Sequence, residues 1–253
     1  MHHLENKIIE VKNVSFAYDD ESVLQNVSLS ICEGDYFGII GSNGAGKTTL
    51  LKIILGLLKP TQGKVKIFGT DIKNFKAWER IGYLPQNVAR FEKGFPATAQ
   101  EVVMMGRFGR LGLLKTPQKA DFEAVKNSLM EVEMWDFKDR LIGELSGGQQ
   151  QRVFIARALA SNPEVIFFDE PTVGIDQASR TEFYSLLRDL NKHHGITLVL
   201  VSHDLTIVLE EAQHIACINK SVIFHGEPQD FVKDTSAKQM FQEHLHLDHP
   251  RHE

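Results

Sequence analysis

The stretch ELSGGQQQR, residues 144–152, decides between fold classes in this chain. A serine and two glycines stand directly before a run of residues that favours an α-helix. Backbone N–H groups in the first turn of a helix, together with the positive end of its dipole, form a ready site for a phosphate group. The stretch therefore predicts a phosphate contact at the start of a helix.

A second phosphate site stands earlier in the chain. GSNGAGKTT, residues 41–49, contains the complete pattern G-x-x-x-x-G-K-[ST] between a predicted strand, YFGII, and a predicted helix, TLLKIILGLL. The glycines let backbone N–H groups approach a triphosphate, Lys47 reaches its β- and γ-phosphates, and the Thr48 hydroxyl coordinates Mg²⁺. The predicted nucleotide contacts are Gly41, Ser42, Asn43, Gly44, Ala45, Gly46, Lys47, Thr48 and Thr49.

The apolar strand VIFFDE, residues 165–170, ends in two carboxylates. Asp169 is predicted to hold Mg²⁺, usually through water, and Glu170 to orient and activate the attacking water. A DE pair after an apolar strand is more often a solvated strand end, but together with Lys47 it predicts a nucleotide site. These motifs indicate a P-loop NTPase, a class that also includes kinases, GTPases and motors.

LSGGQ, followed by QR and an alanine-rich helix, resembles the signature motif of ATP-binding cassette (ABC) ATPases. The resemblance extends from about residue 8 to residue 226, and further motifs follow in the family's order. These are Tyr18 in SFAY, like the aromatic that stacks on adenine, Gln86 in YLPQ (the Q-loop), Asp176 in VGID (the D-loop) and His203 in VSHD (the switch histidine).

This resemblance explains why one chain has two phosphate sites. In the ABC family two cassettes pair head to tail, and each ATP lies between the P-loop of one and the LSGGQ of the other. It implies that Ser146, Gly147, Gly148 and Gln149 contact the partner's nucleotide, with Ser146 and Gly148 at the γ-phosphate. It also implies ATP and Mg²⁺ as cofactors, a catalytic set of Lys47, Gln86, Glu170 and His203, a metal set of Thr48, Gln86 and Asp169, and a nucleotide contact at Asp176.

Composition and patterning predict the domain organisation. The net charge of −5 argues against broad nucleic-acid binding, and no apolar segment approaches the roughly 20 residues that span a bilayer. Alternating strands and helices predict an α/β P-loop fold of ABC type with a parallel-sheet core. We expect an ABC ATPase domain at 6–233, with an antiparallel β-subdomain from the early strands and an inserted helical subdomain at about 90–160.

The chain ends in a histidine-rich segment, predicted as a tail over 234–253. Its histidines are His244, His246, His249 and His252. Imidazoles at this density can bind zinc loosely. The alternatives are a solvated tail without a role and leftover cloning sequence.

Two classes of function fit an ABC ATPase: the energising subunit of a membrane transporter, and a non-transport ABC protein of DNA repair, chromosome organisation or translation. The segment from Gln86 to Leu145 is too short for a long coiled coil, no CxxC insertion is present, and one cassette is expected rather than two. These features favour transport. The signature motif disfavours a kinase or another P-loop enzyme.

FPATAQEVVMMGR, residues 95–107, resembles the ATPase subunits of bacterial zinc and manganese importers, in which this region faces a coupling helix of the permease. FGRLGLL just beyond it resembles the zinc-uptake branch. The resemblance implies a homodimer beneath two copies of a membrane permease, peripheral at the cytoplasmic face of the membrane, and supplied by an extracellular metal-binding protein. Manganese and iron-chelate import stay open as alternatives.

Overall fold

The computed structural model describes residues 6–86, 95–112, 115–172, 176–235, 237 and 239. The chain divides into two compact units. Unit 1 consists of Met1–Lys76 with Thr197–Glu253, and unit 2 consists of Ala77–Ile196. The four histidines of the predicted tail lie outside the described residues.

The strands are numbered in chain order. They are β1 Lys7–Tyr18, β2 Glu21–Cys32, β3 Tyr36–Ile40, β4 Gln62–Ile67, β5 Thr70–Asp71, β6 Ile81–Leu84, β7 Val165–Asp169, β8 Thr197–Ser202, β9 His214–Asn219 and β10 Ser221–Gly226.

The helices that the structure describes fall into two types. The α-helices are α1 Lys47–Ile54, α2 Ala99–Met104, α3 Phe108–Leu111, α4 Lys119–Glu131, α5 Gly147–Leu159, α6 Gln177–His194, α7 Leu205–Glu211 and α8 Pro228–Lys233. The 3₁₀ turns are Ile72–Asn74, Trp78–Arg80, Met105–Arg107, Trp135–Phe137 and Ile142–Glu144. Among the described residues, no helix has the length and apolar character that crossing a membrane requires.

Unit 1 contains the predicted antiparallel sheet, with strand order β2-β1-β4-β5. Apolar side chains at intervals along β1, such as Ile9, Val11 and Val14, are buried, and lysines and glutamates between them stay at the surface. This pattern places one face of the sheet on the core and leaves the other in water.

Unit 1 also contains the parallel strands that position the P-loop. All five residues of β3 are buried, and β3 lies between β8 and β9, parallel to both. A strand covered on both faces is apolar throughout, which is why YFGII lacks polar alternation. β9 and β10 form an antiparallel hairpin, and Lys220 between them has a φ of 58°.

Unit 2 combines the parallel pair β6 and β7 with the predicted helices, of which α2, α4 and α5 pack on one another. Helix α2 begins where Thr98 and Glu101 form a capping box, and its regular turns end at Met104. It tightens into a 3₁₀ turn at Met105–Arg107, where Gly106 packs directly against the backbone carbonyl of Arg157. The fold class is therefore confirmed: an α/β fold with parallel and antiparallel sheets and a helical part.

Candidate functional site

The P-loop of unit 1 joins β3 to α1. Lys47, the first residue of α1, is 4% exposed, and its Nζ donates hydrogen bonds to the backbone oxygens of Gly41 at 2.8 Å and Ser42 at 2.9 Å. Gly46 carries no side chain to cap α1, so the first turn of this helix is suited to an anion. The loop thus brings an ammonium group and a helix N-terminus together.

Two of its glycines are required by space and conformation. A Cβ atom on Gly41 would lie 2.3 Å from the backbone oxygen of Ile218 in β9. Gly46 has a φ of 95°, and a Cβ atom there would lie 2.6 Å from Leu24 Cδ2. The backbone of Lys220 also donates to the oxygen of Ala45 at 3.0 Å, so the β9–β10 hairpin supports the loop.

Two further predicted residues lie in unit 1. Tyr18 ends β1 with 48% of its surface exposed, and its ring meets Phe16 edge-on at a centroid distance of 4.8 Å. An exposed aromatic at a strand end is available for stacking. His203 is exposed directly after β8, and Asp204 caps the next helix, α7, by accepting a hydrogen bond from the backbone of Ile207 at 3.3 Å.

In unit 2, the carboxyl end of β7 holds the two predicted carboxylates. Asp169 is 2% exposed. Burial, followed by the charge of Asp169, raises the pKa of the Tyr83 phenol to about 12. Gln86 Nε2 donates a hydrogen bond to Glu170 Oε2 at 3.1 Å, so the structure brings the predicted Q-loop glutamine to the predicted catalytic carboxylate.

Glu170 has a backbone conformation that its residue type disfavours. Its φ is 47°, in the left-handed region, and Pro171 follows it. A left-handed conformation costs a residue other than glycine about 1–2 kcal/mol, and a following proline restricts the backbone further. Strain of this kind persists where the surroundings fix the residue, which is typical of functional positions.

The signature stretch begins α5. Ser146 is the N-cap: its Oγ accepts from the backbone of Gln149 at 3.3 Å, and Gln149 Oε1 accepts from the backbone of Ser146 at 3.0 Å. This capping box uses the side chains of Ser146 and Gln149 to order the loop itself. Gly147 has open space where a side chain would stand, and Ser146 is exposed.

Asp176 performs the same structural task at the start of α6. Its carboxylate accepts from the backbone of Ser179 at 3.0 Å and from the hydroxyl of Ser179 at 2.7 Å, and these hydrogen bonds lower its pKa. A Cβ atom on Gly148 would lie 3.3 Å from Ser179 Oγ. The predicted D-loop aspartate therefore fixes a serine against the signature glycine.

Gln151 was not predicted as a site residue, although it lies in the signature stretch 144–152. Gln151 is 2% exposed, and its Nε2 donates to the backbone oxygen of Pro171 at 2.9 Å. The helical period was the available signal, because Gln151 lies four residues before Ile155 on the buried face of α5.

The residues present fit a nucleotide with Mg²⁺. The P-loop offers a positive helix end and the Lys47 ammonium to phosphates, and the close backbone at Gly41 and Gly46 admits no side chains. Of the predicted metal donors, the Thr48 hydroxyl lies in unit 1, and the Asp169 carboxylate and the Gln86 amide lie in unit 2. All of them offer oxygen, the donor that Mg²⁺ prefers.

The sequence matches a known family and its members. The family model described as ABC transporter matches residues 24–173. The chain is 49% identical over 226 residues to the "Zinc uptake system ATP-binding protein ZurA" of Listeria innocua, which covers 89% of this chain and 88% of the relative. It is also 49% identical over 197 residues to the "Manganese transport system ATP-binding protein MntB" of Bacillus subtilis, covering 78% of this chain and 77% of the relative.

Solved structures agree with the sequence matches. The ADP conformation of MJ1267, an ATP-binding cassette of an ABC transporter, has a TM-score of 0.81 at 28% identity and covers 94% of this chain and 98% of its own. The dimeric post-hydrolysis structure of the ATP-binding cassette MJ0796 bound to ADP and Pi has a TM-score of 0.73 at 30% identity, covering 87% and 98%. The family match over more than half of the sequence and the identity over most of both chains show that this protein belongs to the ABC transporter family and is an ATPase of that family.

Proposed function

We propose that this chain is the ATP-hydrolysing subunit of an importer for a divalent transition metal, with zinc as the metal. The observation that carries the proposal is the 49% identity to a zinc uptake ATP-binding protein over 89% of the chain. The proposed ABC ATPase domain spans residues 6–233, with the helical subdomain at about 90–160 and the histidine-rich tail at 234–253.

The nucleotide is held by the P-loop. Lys47 exchanges its hydrogen bonds with the Gly41 and Ser42 oxygens for phosphate oxygens, and the first turn of α1 donates backbone N–H groups to the same phosphates. The exposed ring of Tyr18 stacks on adenine. When bound by Thr48, Asp169 and Gln86, Mg²⁺ supplies positive charge to the β- and γ-phosphates.

Glu170 orients the attacking water and takes up its proton. The hydrogen bond from Gln86 orients this carboxylate, the group that would act as the general base. His203, exposed after β8, donates a hydrogen bond to the γ-phosphate and stabilises charge in the transition state.

Two copies of the chain act together. The exposed Ser146 and the adjacent Gly147, Gly148 and Gln149 contact the ATP held by the P-loop of the partner copy, and Asp176 lies near the same nucleotide. The dimeric cassette MJ0796 with ADP and Pi, which this chain resembles, supports this arrangement.

The permease partner has a candidate docking surface in unit 2. Met105 and Phe108 are 43% and 58% exposed. The residues that follow them, Gly106 and Gly109, help to line a cavity of about 220 Å³. A monomer that exposes large apolar side chains together presents a contact surface. The proposed occupant is a coupling helix from each of two permease copies at the cytoplasmic face of the membrane.

Manganese is the second candidate metal. The chain is as identical to the manganese transport protein MntB as to ZurA, although over fewer residues. Iron-chelate import stays a weaker alternative. In this proposal an extracellular binding protein selects the metal, because the residues of the ATPase site contact nucleotide rather than transported ion.

Metal uptake in cells that lack this chain tests the proposal. Labelled zinc and labelled manganese are followed in parallel, with wild type or Lys47→Ala supplied in trans. We expect zinc uptake to collapse and only wild type to restore it. A selective loss of manganese uptake would make manganese the transported metal. Unchanged uptake of both would refute import of either metal and reopen iron-chelate import or a non-transport role.

A further inference from the structure

A buried hydrogen bond joins the signature helix to the segment that follows β7. Gln151 lies three residues after Gly148 on α5, one turn further along the helix. Its side-chain amide donates a hydrogen bond to the backbone oxygen of Pro171 at 2.9 Å, and only 2% of Gln151 is exposed. Because water does not reach a site this buried, removing the Gln151 amide leaves the Pro171 carbonyl oxygen without this hydrogen-bond donor.

Pro171, whose carbonyl accepts this bond, directly follows Glu170, and the backbone of Glu170 is strained. The φ of 47° at Glu170, directly before a proline, has to be maintained by its surroundings. Gln151 holds the carbonyl of Pro171, one residue beyond Glu170, and Gln86 holds the Glu170 carboxylate. The orientation of Glu170 therefore depends on where α5 places Gln151.

The same helix also lies close to the first turn of α6. Ser179 Oγ, fixed by Asp176, would be 3.3 Å from a Cβ atom on Gly148. The first two turns of α5 thus lie against Pro171, shortly after β7, and against Ser179 in the first turn of α6. Packed interiors transmit small displacements because they have little free space to absorb them.

We propose that Gln151 is a positioning residue that transmits the position of the signature helix to Glu170 of the same chain. The inference rests on the proposed function, in which Ser146 and Gly148 contact the ATP held by the partner copy. Binding of that ATP sets the position of α5, and Gln151 passes it to the Pro171 carbonyl and so to Glu170. Hydrolysis at one site then depends on occupancy of the other.

Steady-state ATPase kinetics of the full chain test this role. Gln151→Leu and Gln151→Glu both remove the N–H donor while keeping a side chain of similar length. The matched control is Asn191→Leu, since Asn191 is 6% exposed and its amide donates to the backbone oxygen of Ile196 at 3.0 Å, within the same unit. Thermal unfolding of each variant establishes that it is folded.

We expect both Gln151 variants to lower kcat about tenfold, equivalent to about 1.4 kcal/mol, with KM for ATP unchanged. Their dependence on ATP becomes hyperbolic where that of the wild type is cooperative. Gln151→Leu combined with Glu170→Gln still dimerises with ATP, as measured by light scattering. Asn191→Leu keeps the wild-type kcat and cooperativity.

Three results would overturn the inference: a wild-type kcat in both Gln151 variants, an equal loss of kcat in Asn191→Leu, or loss of ATP-dependent dimerisation in the double variant. The first result would show that the hydrogen bond from Gln151 is dispensable. The second would show a general effect of losing a buried hydrogen bond, and the third would show that Gln151 acts in nucleotide binding. Absence of hydrolysis and dimerisation in the wild type would instead refute the proposed function on which the inference rests.

Discussion

At the scale of single residues, two substitutions of Glu170 that both remove the carboxylate should differ in their free energy of unfolding. Glu170→Ala and Glu170→Gly both remove the carboxylate, but only glycine adopts a φ of 47° without strain. The relief of about 1–2 kcal/mol exceeds the extra unfolded-state entropy of glycine, about 0.5–1 kcal/mol. We expect Glu170→Gly to have the higher free energy of unfolding, by up to about 1 kcal/mol.

Urea unfolding of the two Glu170 variants measures this difference. The matched pair is Glu123→Ala and Glu123→Gly, because Glu123 lies within helix α4 with its side chain exposed. In this helix the order should reverse, because Glu123→Gly should be less stable than Glu123→Ala by about 1 kcal/mol. Equal unfolding midpoints for the two Glu170 variants would mean that the left-handed backbone carries no strain.

His225 gives unit 1 a dependence on pH. Partial burial, followed by the charge of His214, lowers the pKa of this histidine below its ordinary value of 6.5. As pH falls through 6.5, the unfolded chain binds a proton that the folded chain does not, so the free energy of unfolding decreases. The carboxyls with lowered pKa, such as those of Glu101 and Asp121, titrate at lower pH, outside this window.

His225→Phe keeps a ring against Phe37, which meets the native ring at 5.7 Å, and removes the titration. Unfolding midpoints between pH 7.5 and 5.5 should therefore fall less steeply in the variant than in the wild type. The comparison uses slopes, because the variant also loses a hydrogen bond to the backbone of Ser30 at every pH. Identical slopes would exclude His225 as their cause.

At the scale of elements, the close contact between the 3₁₀ turn Met105–Arg107 and α5 depends on one glycine. A Cβ atom on Gly106 would lie 2.0 Å from the backbone oxygen of Arg157, and a carbonyl of a packed helix cannot move aside cheaply. We expect Gly106→Ala to lower the free energy of unfolding by about 1–3 kcal/mol.

Gly109 is the matched control, since a Cβ atom there would meet nothing closer than Glu79 Cβ at 3.7 Å. Gly109 lies in α3, so Gly109→Ala should be neutral or stabilise by up to about 1 kcal/mol. Urea unfolding measures both variants. A similar midpoint for the two would show that α5 yields at Arg157.

Local patterns predicted most elements because each follows from its own residues. The apolar run of β3 and the strand-to-helix setting of Lys47 are both visible in the sequence. The break in the helix at Gly106 and the bond from Gln151 to Pro171 were not predicted, because each depends on a backbone carbonyl distant in sequence. The site was predicted as a set of residues through family resemblance, whereas the strain at Glu170 required coordinates.

At the scale of the whole molecule, the P-loop depends on the far end of the chain. A chain ending at Ile196 retains Lys47, Asp169, Glu170 and the signature stretch, but lacks β8 and β9, the two strands beside β3. We expect it not to bind a fluorescent ATP analogue. A chain ending at Gln242, without the four tail histidines, should bind the analogue like the full chain. Binding by the shorter chain would show that the loop is organised locally.

Because unit 1 consists of two separate stretches of the chain, it cannot fold on the ribosome until the second stretch has been synthesised. A ribosome adds about 5–20 residues per second, so roughly 8–31 seconds separate the synthesis of β3 from that of β8. Throughout that interval an apolar strand waits with both edges unpaired, the condition in which nascent chains recruit chaperones or aggregate. The P-loop can therefore bind ATP only after translation has nearly finished, and chaperones can bind the nascent chain before ATP does.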